Sequence, residues 1–150
     1  MCSDEVETSE LEEAQIGTDI VEIERFRGLT EDSPFVQRVF TRIESSYCFS
    51  FQDPAPHLAV TFAGKEAVAK ALELNNIGRI ASIEIIRSTE GVPNVRLLDG
   101  PDGNQIRVSL SFSSTHAVAV AVSYPRARSL ELGDIQAKID RAVLELLQRE

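Results

Sequence analysis

The stretch Phe62-Ala-Gly-Lys-Glu-Ala-Val-Ala-Lys-Ala-Leu72 constrains the fold more than any other part of this chain. Almost all of its residues are good helix formers, and its alanines let other backbones come close. Leu58, Phe62, Ala69 and Leu72 follow the three-and-four spacing of a buried stripe, and on that face Lys65 and Glu66 interrupt the apolar seam. A carboxylate in such a seam needs a lysine, a polar network or a metal ion as partner. A plainer alternative stands beside this one. Glu66 and Lys70 could form a surface pair contributing about 0.2–0.5 kcal/mol, with Val60, Ala67, Val68 and Ala71 as the core stripe. A second stretch, Gly17-Thr-Asp-Ile-Val-Glu-Ile-Glu-Arg25, favours the first reading, because Asp19 sits there inside an apolar run that reads as a buried strand.

The chain has 150 residues and 43% apolar content, the size and composition of one soluble globular domain. No run approaches the roughly 18 apolar residues of a membrane span, and the N-terminus lacks the basic-then-apolar pattern of a signal peptide. The expectation is a cytoplasmic protein with no membrane association. Cys2 and Cys48 provide neither a disulfide framework nor metal spacing, and with only His57 and His116 beside them a zinc site is disfavoured. A net charge of −9 argues against a nucleic-acid partner. Much of that charge lies in residues 1–15, where Asp4, Glu5, Glu7, Glu10, Glu12 and Glu13 face no base. That segment has the composition of a disordered acidic tail.

Along the rest of the chain, Ile16 to Ile23 reads as a strand, followed by a short helical turn ending near Gly28. Ser33-Pro34 is a cap followed by proline, so Phe35 to Phe40 should be a short helix. Thr41-Arg-Ile-Glu44 has capping-box form and should start another through Tyr47 and Phe49. Asp53-Pro54 repeats the first signal and should open the central helix, running to about Asn76. Ile80 to Arg87, Asn94 to Leu98, Gln105 to Phe112 and His116 to Tyr124 then read as strands of an antiparallel meander. Helices followed by hairpins make an α+β domain, with the central helix packed on one sheet face. Ser109, Ser111, Ala117, Ala119 and Ala121 are small residues against which that helix should dock. After a break at Pro125 and a linker carrying Arg126 and Arg128, Leu130 to Leu147 reads as an amphipathic helix. The expected organisation is an acidic tail over 1–15, a domain over 16–124, and a linker with a terminal helix over 125–150.

These residues resemble a known family. Gly17-Thr-Asp-Ile-Val-Glu-Ile-Glu-Arg25, Thr41-x-x-Glu44, the Phe62 to Leu72 helix, Ile83-Glu-Ile followed by Gly91-x-Pro93, and Val108-Ser-Leu-Ser111 followed by Ala117-Val-Ala are similar, in order and approximate spacing, to holo-acyl-carrier-protein synthase, the small trimeric type within the phosphopantetheinyl transferase superfamily. The resemblance implies transfer of the phosphopantetheine arm from coenzyme A to a serine of an apo acyl carrier protein, in fatty-acid or polyketide biosynthesis. It also implies a homotrimer with active sites between subunits. Asp19 and Glu66 would hold Mg2+, which one or two carboxylates plus substrate phosphates suit. Lys65 and Lys70 would contact phosphate oxygens, and Glu66, or a water beside the metal, would take the serine proton, so that Glu66, Asp19 and Lys65 form the catalytic set. Gly91 and Pro93 would lie near the adenine end of coenzyme A, with Ser111 and His116 as further cofactor contacts. Arg25 and Arg27 would meet the acidic carrier protein.

Three positions depart from the family pattern. Phe112 stands where a histidine is usual after Ser-x-Ser, Thr61 stands where an arginine usually precedes the Phe of the Lys-Glu helix, and Glu73-Leu-Asn-Asn76 replaces a Gly-rich turn. Phe112 and His116 are expected to oppose each other across a tight hairpin on one sheet face, so that His116 could replace the missing imidazole. The alternative function is a non-catalytic relative serving as a trimeric binding or assembly module.

Overall fold

The structure is a computed structural model that describes residues 14–74, 77–99, 104–125 and Arg141. The expected terminal helix and nearly all of the acidic tail lie outside these residues.

Strand β1, Gln15–Glu22, leads into a 3-10 turn at Ile23–Phe26. Helix α1 is Pro34–Val39, α2 is Arg42–Phe49 and α3 is Ala55–Ala71. A 3-10 segment, Ile77–Ser82, precedes β2, Ile83–Arg87, which is followed by β3, Pro93–Leu97, β4, Asn104–Phe112, and β5, His116–Pro125. The mixed α+β class and the antiparallel strands agree with the sequence. The run of hairpins, however, is divided: β2 pairs with β3, while β1, β5 and β4 form a separate sheet in that order. β1 therefore lies along β5, from Gln15 opposite Ser123 to Glu22 opposite His116. Gln15 belongs to the sheet rather than to the acidic lead-in.

Local signals explain the helix starts. The Thr41 hydroxyl accepts from the Glu44 amide at 3.3 Å and the Glu44 carboxylate accepts from the Thr41 amide at 2.8 Å, a complete capping box. Asp53 accepts from the Ala55 amide at 3.3 Å, ahead of Pro54. Ser33 behaves differently. Its hydroxyl accepts from the Thr30 amide at 2.8 Å and makes no cap bond to α1, so the fixed φ of Pro34 starts that helix. α3 ends at Ala71, short of the expected Asn76, because the chain turns through Glu73 at φ 54°, a left-handed conformation that breaks the helix.

α3 is buried on almost every side, which is why both stripes could be read from its sequence. It lies against β1, β5 and β4 on one side and β2 on another. Ala117, Ala119 and Ala121 on β5 are fully buried beneath it, as expected. Ser109 and Ser111 are not: the register pairs them with Val120 and Val118, on the opposite, exposed face of the sheet. The closest approach is at Gly17. A Cβ there would meet the Ala67 carbonyl oxygen at 1.9 Å and the Ala71 amide nitrogen at 2.6 Å. Because both atoms are helix backbone, no rotamer change can make room. Gly17→Ala should therefore cost the upper end of the roughly 1–3 kcal/mol range for overpacking, or more. A lowered denaturant midpoint with unchanged slope would show it, and an unchanged midpoint would mean that β1 shifts freely against α3.

Candidate active site

Alternation along β1 turns Gly17, Asp19 and Val21 inward and leaves Ile16 and Ile20 exposed. Asp19 thereby faces the last two turns of α3 rather than solvent. Its Oδ1 accepts from the Lys70 ammonium at 2.8 Å, and the same ammonium donates to the Thr18 carbonyl at 2.8 Å. Two of its three donors are thus engaged, while the Lys70 side chain remains about half exposed. The other Asp19 oxygen, Oδ2, is buried without a hydrogen-bond partner among the described residues. Glu66, one turn before Lys70, completes the group. Burial, and then the negative charge of Asp19, push its carboxyl above the usual carboxylate range, with Lys70 opposing. Asp19, Glu66 and Lys70 are therefore brought together as the sequence indicated.

Lys65 is not part of this group. It is wholly buried on the other side of α3, where its ammonium donates to Glu44 Oε2 at 2.6 Å. Glu44 Oε1 in turn accepts from the Ile85 amide at 2.7 Å. Burial pulls the Lys65 ammonium below the usual lysine range, with Glu44 opposing. A side chain with no exposed surface, held by a buried carboxylate, does not reach a phosphate, so the expected catalytic and cofactor-binding role of Lys65 is corrected to a structural one. Glu44 was legible only as a capping residue. Its second role depends on a lysine 21 positions away and has no local signature.

The hairpin between β4 and β5 corrects a second expectation. Phe112 pairs with Ala117, and His116 pairs with Glu22, so period-two alternation puts Phe112 and His116 on opposite faces of the sheet. His116 lies instead beside Ile20, Val21, Glu22 and Arg25 around a shallow cavity of about 360 Å³. It cannot stand in for a histidine at position 112. Ser111 shares the outer face, away from Asp19. The imidazole that does approach Phe112 is His57, with ring centroids 5.6 Å apart, itself stacked on Phe51 at 3.5 Å.

Gly91 and Pro93 line a separate cavity of about 170 Å³ together with Tyr47, His57, Arg87 and Phe112. The positive φ of Gly91, 85°, forms the turn that brings Pro93 there. Arg87 donates to the Thr61 hydroxyl at 3.0 Å, so position 61 has no cation of its own but receives one from β2. Arg87 closes an apolar strand run, and in sequence nothing distinguished it from an ordinary strand-end cation. On the surface, Arg27 is held by Glu24 at 3.0 Å and Asp53 at 3.2 Å, whereas Arg25 is exposed and forms no ion pair among the described residues. Of the two arginines expected to meet a partner, only Arg25 is unengaged.

Similarity to known proteins extends over most of the described residues. Residues 15–121 match the family model of the 4'-phosphopantetheinyl transferase superfamily. The holo-[acyl-carrier-protein] synthase of Thermodesulfovibrio yellowstonii is 40% identical over 110 residues, covering 71% of this chain and 95% of that protein. The synthase of Chlamydia muridarum is 43% identical over 117 residues, covering 72% and 92%. Among solved structures, the Helicobacter pylori synthase in complex with coenzyme A superposes with a TM-score of 0.62 at 28% identity, over 72% of this chain and 98% of that one. The Mycobacterium tuberculosis synthase gives 0.58 at 30%, over 74% and 96%. With a family match over residues 15–121 and relatives at 40% identity and above that are covered over most of their own length, the chain belongs to the 4'-phosphopantetheinyl transferase superfamily, among the holo-[acyl-carrier-protein] synthases.

Proposed function

We propose that this protein transfers 4'-phosphopantetheine from coenzyme A to a serine of an apo acyl carrier protein. The observation that carries the reading is the buried Oδ2 of Asp19, which has no hydrogen-bond partner among the described residues, beside Glu66. Two adjacent carboxylates carry more negative charge than the single Lys70 ammonium neutralises, and a further cation would complete them. They fit Mg2+, which takes one or two carboxylates and leaves room for substrate phosphates. When bound, the ion would offset charge developing on the diphosphate as the P–O bond breaks. Lys70 holds Asp19 in place and keeps a donor free for a phosphate oxygen. Glu66, or a water beside the ion, would take the serine hydroxyl proton. The serine oxygen then bonds to phosphorus, and the bond to the leaving adenosine bisphosphate breaks.

A homotrimer is part of the same reading. Ile16, Ile20, Val118 and Val120 leave the outer face of the three-stranded sheet apolar and exposed, and further copies of this chain would cover it. A fatty-acid or polyketide carrier in the cytoplasm is the corresponding partner. Among the described residues no helix is long and apolar enough to cross a membrane. The test is incubation with coenzyme A, Mg2+ and a panel of apo carrier proteins, read by intact mass. Absence of the phosphopantetheine mass increment from every carrier would refute the transferase reading and leave the binding-module alternative.

Arg25 is assigned to the carrier protein, since an acidic partner approaching a negatively charged chain needs a local cation. Arg25→Glu should raise the carrier KM about tenfold or more through lost steering, and the effect should shrink at high salt. An unchanged carrier KM would place the docking surface elsewhere.

A further inference from the structure

Glu73, just past the end of α3, runs against local physics in three ways. It is the one non-glycine residue with positive φ among the described residues, at 54°. Its amide donates to the Lys70 carbonyl at 3.1 Å and the Leu74 amide donates to the Ala69 carbonyl at 2.8 Å, the paired bonds of a Schellman motif whose left-handed position favours glycine. A carboxylate at this end of a helix also faces the negative pole of the macrodipole. Third, Glu73 is exposed, and its side chain has no hydrogen-bond or ion-pair partner among the described residues to offset either cost. A residue held against its local preference without local compensation points to a function.

Its place in the fold indicates which function. Glu66, Lys70 and Glu73 are spaced i, i+4 and i+7, so Glu73 extends the face of α3 that meets Asp19. Lys70 is the cation of that group, with one donor on Asp19 Oδ1, one on the Thr18 carbonyl and one left over. Asp19 and Glu66 already outweigh this single ammonium, and Glu73 adds a further carboxylate one turn beyond it. An anion approaching the remaining donor of Lys70 meets that excess of negative charge, whereas a divalent cation is drawn to it. Among the described residues no three His, Cys, Asp or Glu side chains converge closely enough to hold a metal together, so Glu73 acts through space rather than as a ligand. Its exposure makes the interaction a screened one, which salt removes.

We infer that Glu73 makes diphosphate binding conditional on the divalent ion: its carboxylate disfavours a bare diphosphate at Lys70 and favours one accompanied by Mg2+. This rests on the transferase reading and adds a residue that sets which form of coenzyme A the protein selects. Glu73 touches no reacting atom, and no bond is made or broken; it is a specificity residue that acts by its charge. By linkage, the factor by which Glu73 strengthens the effect of the ion on coenzyme A is the factor by which it strengthens the effect of coenzyme A on the ion.

The test is titration calorimetry with coenzyme A at low ionic strength, once with Mg2+ and once with a chelator in its place, on the unmodified protein, Glu73→Gln, Glu73→Asp and Glu73→Gly. The unmodified protein should bind more tightly with Mg2+. Glu73→Gln should tighten metal-free binding about threefold or more, the scale of one screened unit charge acting on a diphosphate, and shrink the gain from Mg2+ by a similar factor. That difference should vanish near 1 M salt, where the Debye length is about 3 Å. Glu73→Asp keeps the charge and should keep the coupling. Glu73→Gly should match Glu73→Gln in coupling and also melt higher, since glycine takes the left-handed conformation without strain. The inference is overturned if Glu73→Gln binds metal-free coenzyme A no more tightly than the unmodified protein, undetectable binding in both included, or if it changes binding with and without Mg2+ by the same factor, as loss of a merely structural side chain would. An unchanged melting temperature in Glu73→Gly would remove the strain on which the inference stands and overturn it as well. If coenzyme A does not bind the unmodified protein under either condition, the transferase reading itself fails; tight binding with an unmoved coupling sinks only the role of Glu73.

Discussion

Lys65→Met should destabilise the protein by about 3–5 kcal/mol, the cost of leaving a buried charge without its partner. Glu44 would remain wholly buried, with one oxygen still on the Ile85 amide and the other on the Thr41 amide but with no cation beside it. The loss should be visible as a lower denaturant midpoint, while coenzyme A affinity in the folded fraction stays near normal, because Lys65 lies away from both cavities and from Asp19. The double variant Lys65→Met with Glu44→Gln should recover part of the loss, since the amide oxygen can keep accepting from one of the two backbone N–H groups without carrying charge, while the other loses its acceptor. A double-mutant cycle with coupling near zero would mean that the pair is not neutralising itself in the folded state. A selective loss of coenzyme A binding at unchanged stability would restore Lys65 to the site from which its burial removes it.

Asp19→Asn and Glu66→Gln should have the opposite character, reducing transfer by about a hundredfold or more with the fold intact. Each removes one negative charge with almost no change of volume, and the neighbouring Lys70 keeps a hydrogen-bond partner in either variant. Glu66 adds a stability signature that activity cannot imitate. Its folded-state pKa is raised, so the folded protein holds that proton more tightly than the unfolded chain does. Stability is therefore favoured below the unfolded carboxylate pKa and declines as pH rises through the folded one. At neutral pH and without metal, Glu66→Gln should then melt higher than the unmodified protein. Added Mg2+ should raise the melting temperature of the unmodified protein by mass action and move neither variant appreciably. Near-normal turnover in both variants, or an equal Mg2+ response in all three proteins, would show that these carboxylates do not hold the ion.

The two experiments separate the charges on one helix into a structural and a functional set, a division that sequence could not make. Lys65 and Glu66 are consecutive, and both interrupt the same apolar seam. In a helix, neighbours point about 100° apart. One turned toward α2 and β2, and the other toward β1, according to what the fold placed on each side. The interruption was visible; which charge belonged to the core was not.

His116 shows the same limit in a hairpin. Counting turn residues suggested that it faced Phe112, but the ladder closes one position later, with the Ser113 amide donating to the His116 carbonyl at 2.8 Å. A shift of one residue exchanges the two faces of a strand. Ser109 and Ser111 met the same fate, small enough to lie under a helix yet on the wrong side of the sheet.

What the sequence determined by itself was local or short in period: the capping box at Thr41, the helical character of α3, the alternation that turned Asp19 inward, and the antiparallel strands. These follow from backbone sterics and side-chain spacing within a few residues. Tertiary structure alone decided that Glu44 neutralises Lys65, that β1 pairs with β5, that the hairpins split into two sheets, and that Arg87 reaches Thr61. Each of these depends on atoms separated by tens of residues, and burial and register, which set the free energy of such contacts, exist only once the chain has closed on itself.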